Sequence, residues 1–117
     1  MYRLEFDYER PPLTSNQRIH WRQRAALTKE VRERTAFKAE GIPAMKACTV
    51  SLTWVVNDKR RRDADNLVPT LKAMCDGLVD AGVVPDDTPQ LMHKVMPVIV
   101  YDPDAVAFMH LEIEEQA

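Results

Sequence analysis

The 117-residue sequence predicts an α+β fold, a single small domain in which two main helices pack on one mixed β-sheet in the order β-α-β-α-β-β. Three patterns lead there. Two segments, Tyr2 to Tyr8 and Cys48 to Val56, alternate apolar with polar residues, which is the period of a half-buried strand. Between them and the C-terminal third, Leu67, Leu71, Met74, Cys75, Leu78 and Val79 recur at the spacing of an amphipathic helix. The last third carries two further alternating stretches. A chain of this length buries one core and not two, so residues 1–117 read as one domain.

From the N-terminus, the first strand sets Tyr2, Leu4, Phe6 and Tyr8 against Arg3, Glu5 and Asp7 and stops at Pro11-Pro12. Leu13 to Asn16 follows as a loop of turn-forming residues. Arg18, His20, Trp21, Arg22 and Arg24 then interleave basic residues with one large aromatic. Two readings are open for Trp21: it stacks on an exposed base or sugar while the arginines hold phosphates, or it packs on the core beside solvated arginines. A mostly charged surface helix is expected from Thr28 to about Glu40, stopped by Gly41 and Pro43. The second strand, Cys48 to Val56, runs into Asn57-Asp58-Lys59 and three arginines, Arg60, Arg61 and Arg62. The central helix is expected from about Asn66 to Ala81. Asp65 or Asn66 caps it, Pro69 sits in the first turn where a missing N–H costs little, and Gly82 ends it. Leu91 to Tyr101 and Ala105 to Glu114 read as strands joined at Asp102-Pro103-Asp104.

Hydrophobic residues at 45% and charged residues at 29% exclude disordered and fibrous classes. No apolar run approaches the roughly 18 residues of a membrane span. The start, Met1-Tyr2-Arg3-Leu4-Glu5, lacks the basic segment and apolar core of a signal peptide, so a cytoplasmic location is expected. Cys48 and Cys75 stand in apolar patterns without a partner at metal spacing and read as reduced core residues. The scattered His20, His93 and His110 suggest neither a zinc site nor a Cys/His nucleophile. A net charge of -2 looks unsuited to nucleic acid until its distribution is considered. Between Arg10 and Lys38 eight basic residues face two acids, whereas from Asp86 onward seven acids face Lys94 alone. One half suits phosphate and the other solvent.

The residues that bear chemistry gather about the central helix. Asp63 and Asp65 are two apart, so in an extended approach both carboxylates point one way and repel unless a cation lies between them. Oxygen-only ligands suit a hard divalent ion, Mg2+ or Mn2+ as substitute, which leans on one or two carboxylates plus a phosphate. Asp86 and Asp87 complete such a site if the chain returns. The competing reading makes Asp65 a helix cap and Asp86-Asp87 a solvated turn.

The stretch from Arg60 to Gln90 resembles the RusA-type Holliday-junction resolvases, small endodeoxyribonucleases of bacteria and prophages. The resemblance rests on Arg60 to Arg62, the run Asp63, Asp65, Asn66 and Leu67, then Lys72, Asp76 and Leu78, Ala81-Gly82, and Asp86-Asp87 with Gln90. The short first strand, Pro11-Pro12 and Asn16 are similar as well. Two departures stand out: three extra residues, around Val68 to Thr70, put Lys72 seven after Asp65, and Pro89 is inserted before Gln90. The resemblance implies that Asp63, Asp65 and Asp87 bind the metal and that Lys72 is a catalytic or phosphate-contacting base. It implies further a homodimer that resolves four-way (Holliday) junctions in DNA recombination and repair by nicking two strands symmetrically. Asn16, Arg18, Arg22, Arg60, Arg61, Arg62 and Asn66 are the expected DNA contacts.

Two other classes share part of this pattern. A non-enzymatic DNA-junction-binding accessory protein needs the basic stretches but not Asp63, Asp65 and Asp87 together. A calcium loop starting at Asp63 fails, because Val68 stands where glycine is wanted and Met74 where glutamate is wanted. Reach constrains the nuclease reading. A helix from Asn66 to Ala81 is about 24 Å long, while six extended residues span about 20 Å at most. For one chain to form the site, Gly82 to Asp87 must fold straight back along a helix shorter than its pattern or bent, bringing Lys72 beside the returning carboxylates; otherwise a second subunit supplies Asp87.

Overall fold

The computed structural model describes residues 1–116. Its elements are β1 (Tyr2–Phe6), α1 (Trp21–Lys38), β2 (Cys48–Val56), a 3-10 turn (Ala64–Leu67), α2 (Val68–Asp80), β3 (Met92–Lys94), β4 (Val98–Tyr101) and β5 (Phe108–Glu115). The fold is the expected α+β arrangement, a mixed five-stranded sheet with two helices. β2 is its hub, antiparallel to β5 on one side and parallel to β3 and β4 on the other, with β1 beyond β5.

The alternation of β2 explains that position. Val50, Leu52 and Trp54 lie opposite Ile113, Leu111 and Met109 of β5, and all six are buried. This face packs with the α2 stripe Leu71, Met74, Cys75 and Leu78 in one core, each such side chain contributing roughly 1.5–3 kcal/mol by leaving water. Cys48 and Cys75 are free thiols inside it, and burial pushes the Cys75 thiol up to about 12.

Leu91 to Tyr101 is two strands, not the one expected. Val50 faces Lys94 and Thr53 faces Val98, so across the break the edge carries one residue more than β2. Val95 still donates its N–H to the Val50 carbonyl at 2.9 Å, but Pro97 has no N–H to offer and interrupts the ladder. Lys94 therefore shares the face of Val50 and looks toward α2.

α1 starts at Trp21, seven residues ahead of the expected Thr28. His20 caps it, its Nδ1 accepting the Arg22 N–H at 3.1 Å, a role that Ser, Thr, Asp or Asn usually fills. Val31 and Thr35 are buried against α2. Gly77 permits this contact, since a Cβ there would lie 2.5 Å from the Arg32 carbonyl oxygen and 2.8 Å from the Thr35 Cβ. Arg32 then grips Asp80 at 2.8 Å, and its hydrogen bonds hold that carboxyl below the usual range.

α2 is shorter than its apolar pattern, because the first turn is 3-10, and neither Asp65 nor Asn66 caps it through a side chain. Its start is anchored instead by buried Thr70, whose hydroxyl donates to the Leu13 carbonyl at 2.7 Å and accepts the Leu13 N–H at 3.2 Å. Pro69 falls in the first turn as expected, and Gly82 follows the helix at φ +81, the left-handed conformation that glycine tolerates. No helix is long and apolar enough to cross a membrane among the described residues.

Candidate functional site

Gly82 reverses the chain, and two backbone hydrogen bonds keep it reversed. Val83 donates to the Leu78 carbonyl at 3.0 Å, and Met45 donates to the Val83 carbonyl at 2.8 Å, with Val83 and Val84 both buried. The returning segment thus runs back along α2 within one chain. At its end the Asp86 carboxylate accepts the Asp87 N–H at 2.8 Å and shapes the turn.

Lys72 Nζ donates to Asp87 Oδ2 at 2.6 Å and to Asp76 Oδ1 at 2.9 Å. Lys94 reaches the same Asp87 oxygen at 3.3 Å, so one carboxylate oxygen carries two ammonium donors. The Lys72 hydrogen bond, supported by that of Lys94, holds the Asp87 carboxyl far below the usual carboxylate range. Asp76 and Asp87 in turn raise Lys72, which stays an ammonium at neutral pH. Such a group is suited to phosphate contact and charge stabilisation rather than to proton abstraction.

Asp63 and Asp65 precede α2 in the chain, at the 3-10 turn. Asp63 is extended (φ -109, ψ 125), but the 3-10 turn begins at Ala64, so the strand alternation that would aim both carboxylates one way does not apply. Both residues are exposed. Among the described residues neither carboxylate has a hydrogen-bond or ion-pair partner, and Arg60 and Arg62 turn to Asp58 instead. Seven residues of helical rise, about 10 Å, separate Asp65 from Lys72. Accordingly, no three of His, Cys, Asp and Glu gather closely enough to hold a metal among the described residues. Lys72 and Asp87 meet, then, while Asp63, Asp65 and Asp87 do not gather into one metal-holding group among the described residues. The donors nonetheless suit a hard divalent ion in kind: unpartnered carboxylates at Asp63 and Asp65, and an Asp87 Oδ1 that accepts no hydrogen bond among the described residues.

The arginine run divides into different tasks. Arg62 donates to Asp58 Oδ1 at 2.6 Å, also reaches the Asp58 and Arg60 carbonyls, and stacks 5.0 Å above Trp54. Asp58, lowered first by the Arg60 N–H and then by Arg62, organises this loop. Arg60 and Arg61 stay exposed and line, with Arg10, a cleft of about 460 Å3. Ser15 donates to the Asp65 carbonyl at 3.3 Å, which sets the Asn16 loop beside the aspartates. Asn16, Arg18 and Arg22 are exposed and Asn66 half-buried. Trp21 is 69% exposed with the Arg22 guanidinium 5.3 Å from its ring, so the core-packed alternative for it does not hold. Arg24 is spent on structure, bonding the Thr14 carbonyl and Gln17.

Sequence reasoning passed over Lys94 and Asp58. The signal for Lys94 was its isolation among acids together with its place two residues from buried Met92. Asp58 carried no signal beyond preceding the arginines. No protein-family model matches this chain, and no curated protein matches it.

Proposed function

We propose that the chain is a metal-dependent, structure-selective endodeoxyribonuclease that resolves four-way DNA junctions by paired nicking through phosphodiester hydrolysis. The observation that carries the reading is the contact of Lys72 with Asp87, formed by a segment folded back toward two unpartnered carboxylates at the start of the same helix. Asp63, Asp65 and Asp87 would hold Mg2+ or Mn2+, and a bound ion supplies Lewis acidity and an acidified water. Lys72 places its ammonium against the charge that grows on the phosphoryl oxygens. Arg60 and Arg61, with Asn16, Arg18, Arg22 and Asn66, contact the flanking backbone, while Arg62 holds their loop in shape through Asp58. Two nicks placed symmetrically call for two copies of the chain, hence a homodimer.

A non-enzymatic junction-binding accessory protein is the second reading, favoured by the fact that Asp63, Asp65 and Asp87 do not gather into one metal-holding group among the described residues. Cleavage of a labelled synthetic four-way junction, with linear duplex as control, decides between them. Wild type in Mg2+ is expected to give symmetric nicks that EDTA and Asp65→Asn both abolish. Binding without cutting in any divalent metal would establish the accessory role, and equal cutting of duplex would remove the junction selectivity.

A further inference from the structure

The break in the edge strand leaves a cleft of about 280 Å3 between α2 and the β3–β4 connection. Val68 and Leu71 form one wall and Val95, Met96 and Pro97 the other, with Lys72 and Lys94 completing the lining. Val68 is 41% and Met96 58% exposed, so large apolar side chains meet water at its mouth. The volume lies at the small end of ligand clefts and has room for one nucleobase or sugar. Lys72 uses two of its ammonium hydrogens on carboxylates and Lys94 one, so both retain donors for an anion. Met96 offers a polarisable thioether, which packs well on an aromatic ring face. An apolar slot with ammonium groups in its lining matches a flat, weakly polar body joined to a phosphate.

We propose that this cleft is a subsite for a single unstacked nucleotide of a DNA strand, its base against Met96 and Val68 and its phosphate on Lys94. The inference rests on the nucleic-acid reading above and deepens it. Lys94 and the edge-strand break thereby gain a role: they carry the strand past Lys72 with one nucleotide drawn out of its stack.

The test uses the full chain with methyl-labelled methionine, the Met96 resonance being assigned by its loss in Met96→Leu. dTMP, thymidine, inorganic phosphate and decyl phosphate are titrated separately without added metal. dTMP is expected to shift the Met96 methyl saturably, with thymidine and phosphate each at least about ten-fold weaker, the factor one charged hydrogen bond carries. Lys94→Met is expected to weaken dTMP by a similar factor. An unmoved Met96 methyl, equal binding of thymidine, or tighter binding of decyl phosphate would overturn the subsite. Nucleotide binding in a protein that cuts no junction would leave the subsite standing and remove the nuclease. Metal-dependent cutting with a silent Met96 methyl would do the reverse.

Discussion

The carboxylates of the candidate site live in opposite surroundings. Asp63 and Asp65 stand in solvent at the end of an arginine loop in which Arg60 and Arg62 pair with Asp58. Asp87 is only 22% exposed and takes Lys72 and Lys94 on a single oxygen. Asp63 and Asp65 have no ion-pair partner among the described residues, whereas Asp87 is paired in advance. An incoming cation thus gains most at Asp63 and Asp65, and at Asp87 it competes with two lysines unless it takes the free Oδ1.

The comparison depends on α2, which carries Lys72 and follows directly on Asp65, and the largest expected effects come from disturbing its seat. Gly77→Ala drives a Cβ into the Arg32 carbonyl and is expected to cost about 3 kcal/mol in chemical denaturation. Thr70→Val removes the hydroxyl that serves both polar groups of Leu13 and is expected to cost about 2 kcal/mol. It loosens the loop beside Asp65 and leaves the Lys72–Asp87 pair intact, so it separates the two halves of the site.

Acid sharpens the contrast further. The folded pKa of Asp87 is depressed, so its stabilisation is full above the ordinary aspartate pKa of about 4 and is lost as pH falls below it. Asp87→Asn is expected to cost about 1 kcal/mol at neutral pH, modest because solvent screens Lys72, and to flatten the acid limb of the stability curve. The smallest effect belongs to Asp63→Asn, which breaks no contact and is expected to change stability by less than about 0.5 kcal/mol in the same assay. A loss there comparable to that of Asp87→Asn would erase the distinction between the two surroundings.

Much of the fold was legible because single patterns dictated it. β2 follows from the alternation of Cys48 to Trp54, the α2 stripe from its spacing, and the reversal at Gly82 from a reach argument that left few alternatives within one chain. What was not legible depended on partners distant in sequence or on uncommon chemistry. A histidine capping α1 hid its first two turns. The edge-strand break needed the extra residue opposite β2 to be seen beside Pro97. Within the site, the alternation rule misplaced Asp65 because the chain tightens into a 3-10 turn one residue earlier. Lys94 reaches Asp87 only because β3 lies beside β2 with its lysine on the covered face.

The most direct test of the proposed cation site, in which Asp63 and Asp65 would close with Asp87 on one ion as it binds, is Mn2+ affinity in a double-mutant cycle. Free Mn2+ is measured by electron paramagnetic resonance against wild type, Asp65→Asn, Asp87→Asn and the double variant. The account predicts that each single substitution weakens binding by about ten-fold or more and that the double variant is scarcely weaker than either, the non-additivity of residues that share one ligand. Mn2+ affinity unchanged or improved in Asp87→Asn would contradict it, leaving Asp87 as the partner of two lysines and nothing more.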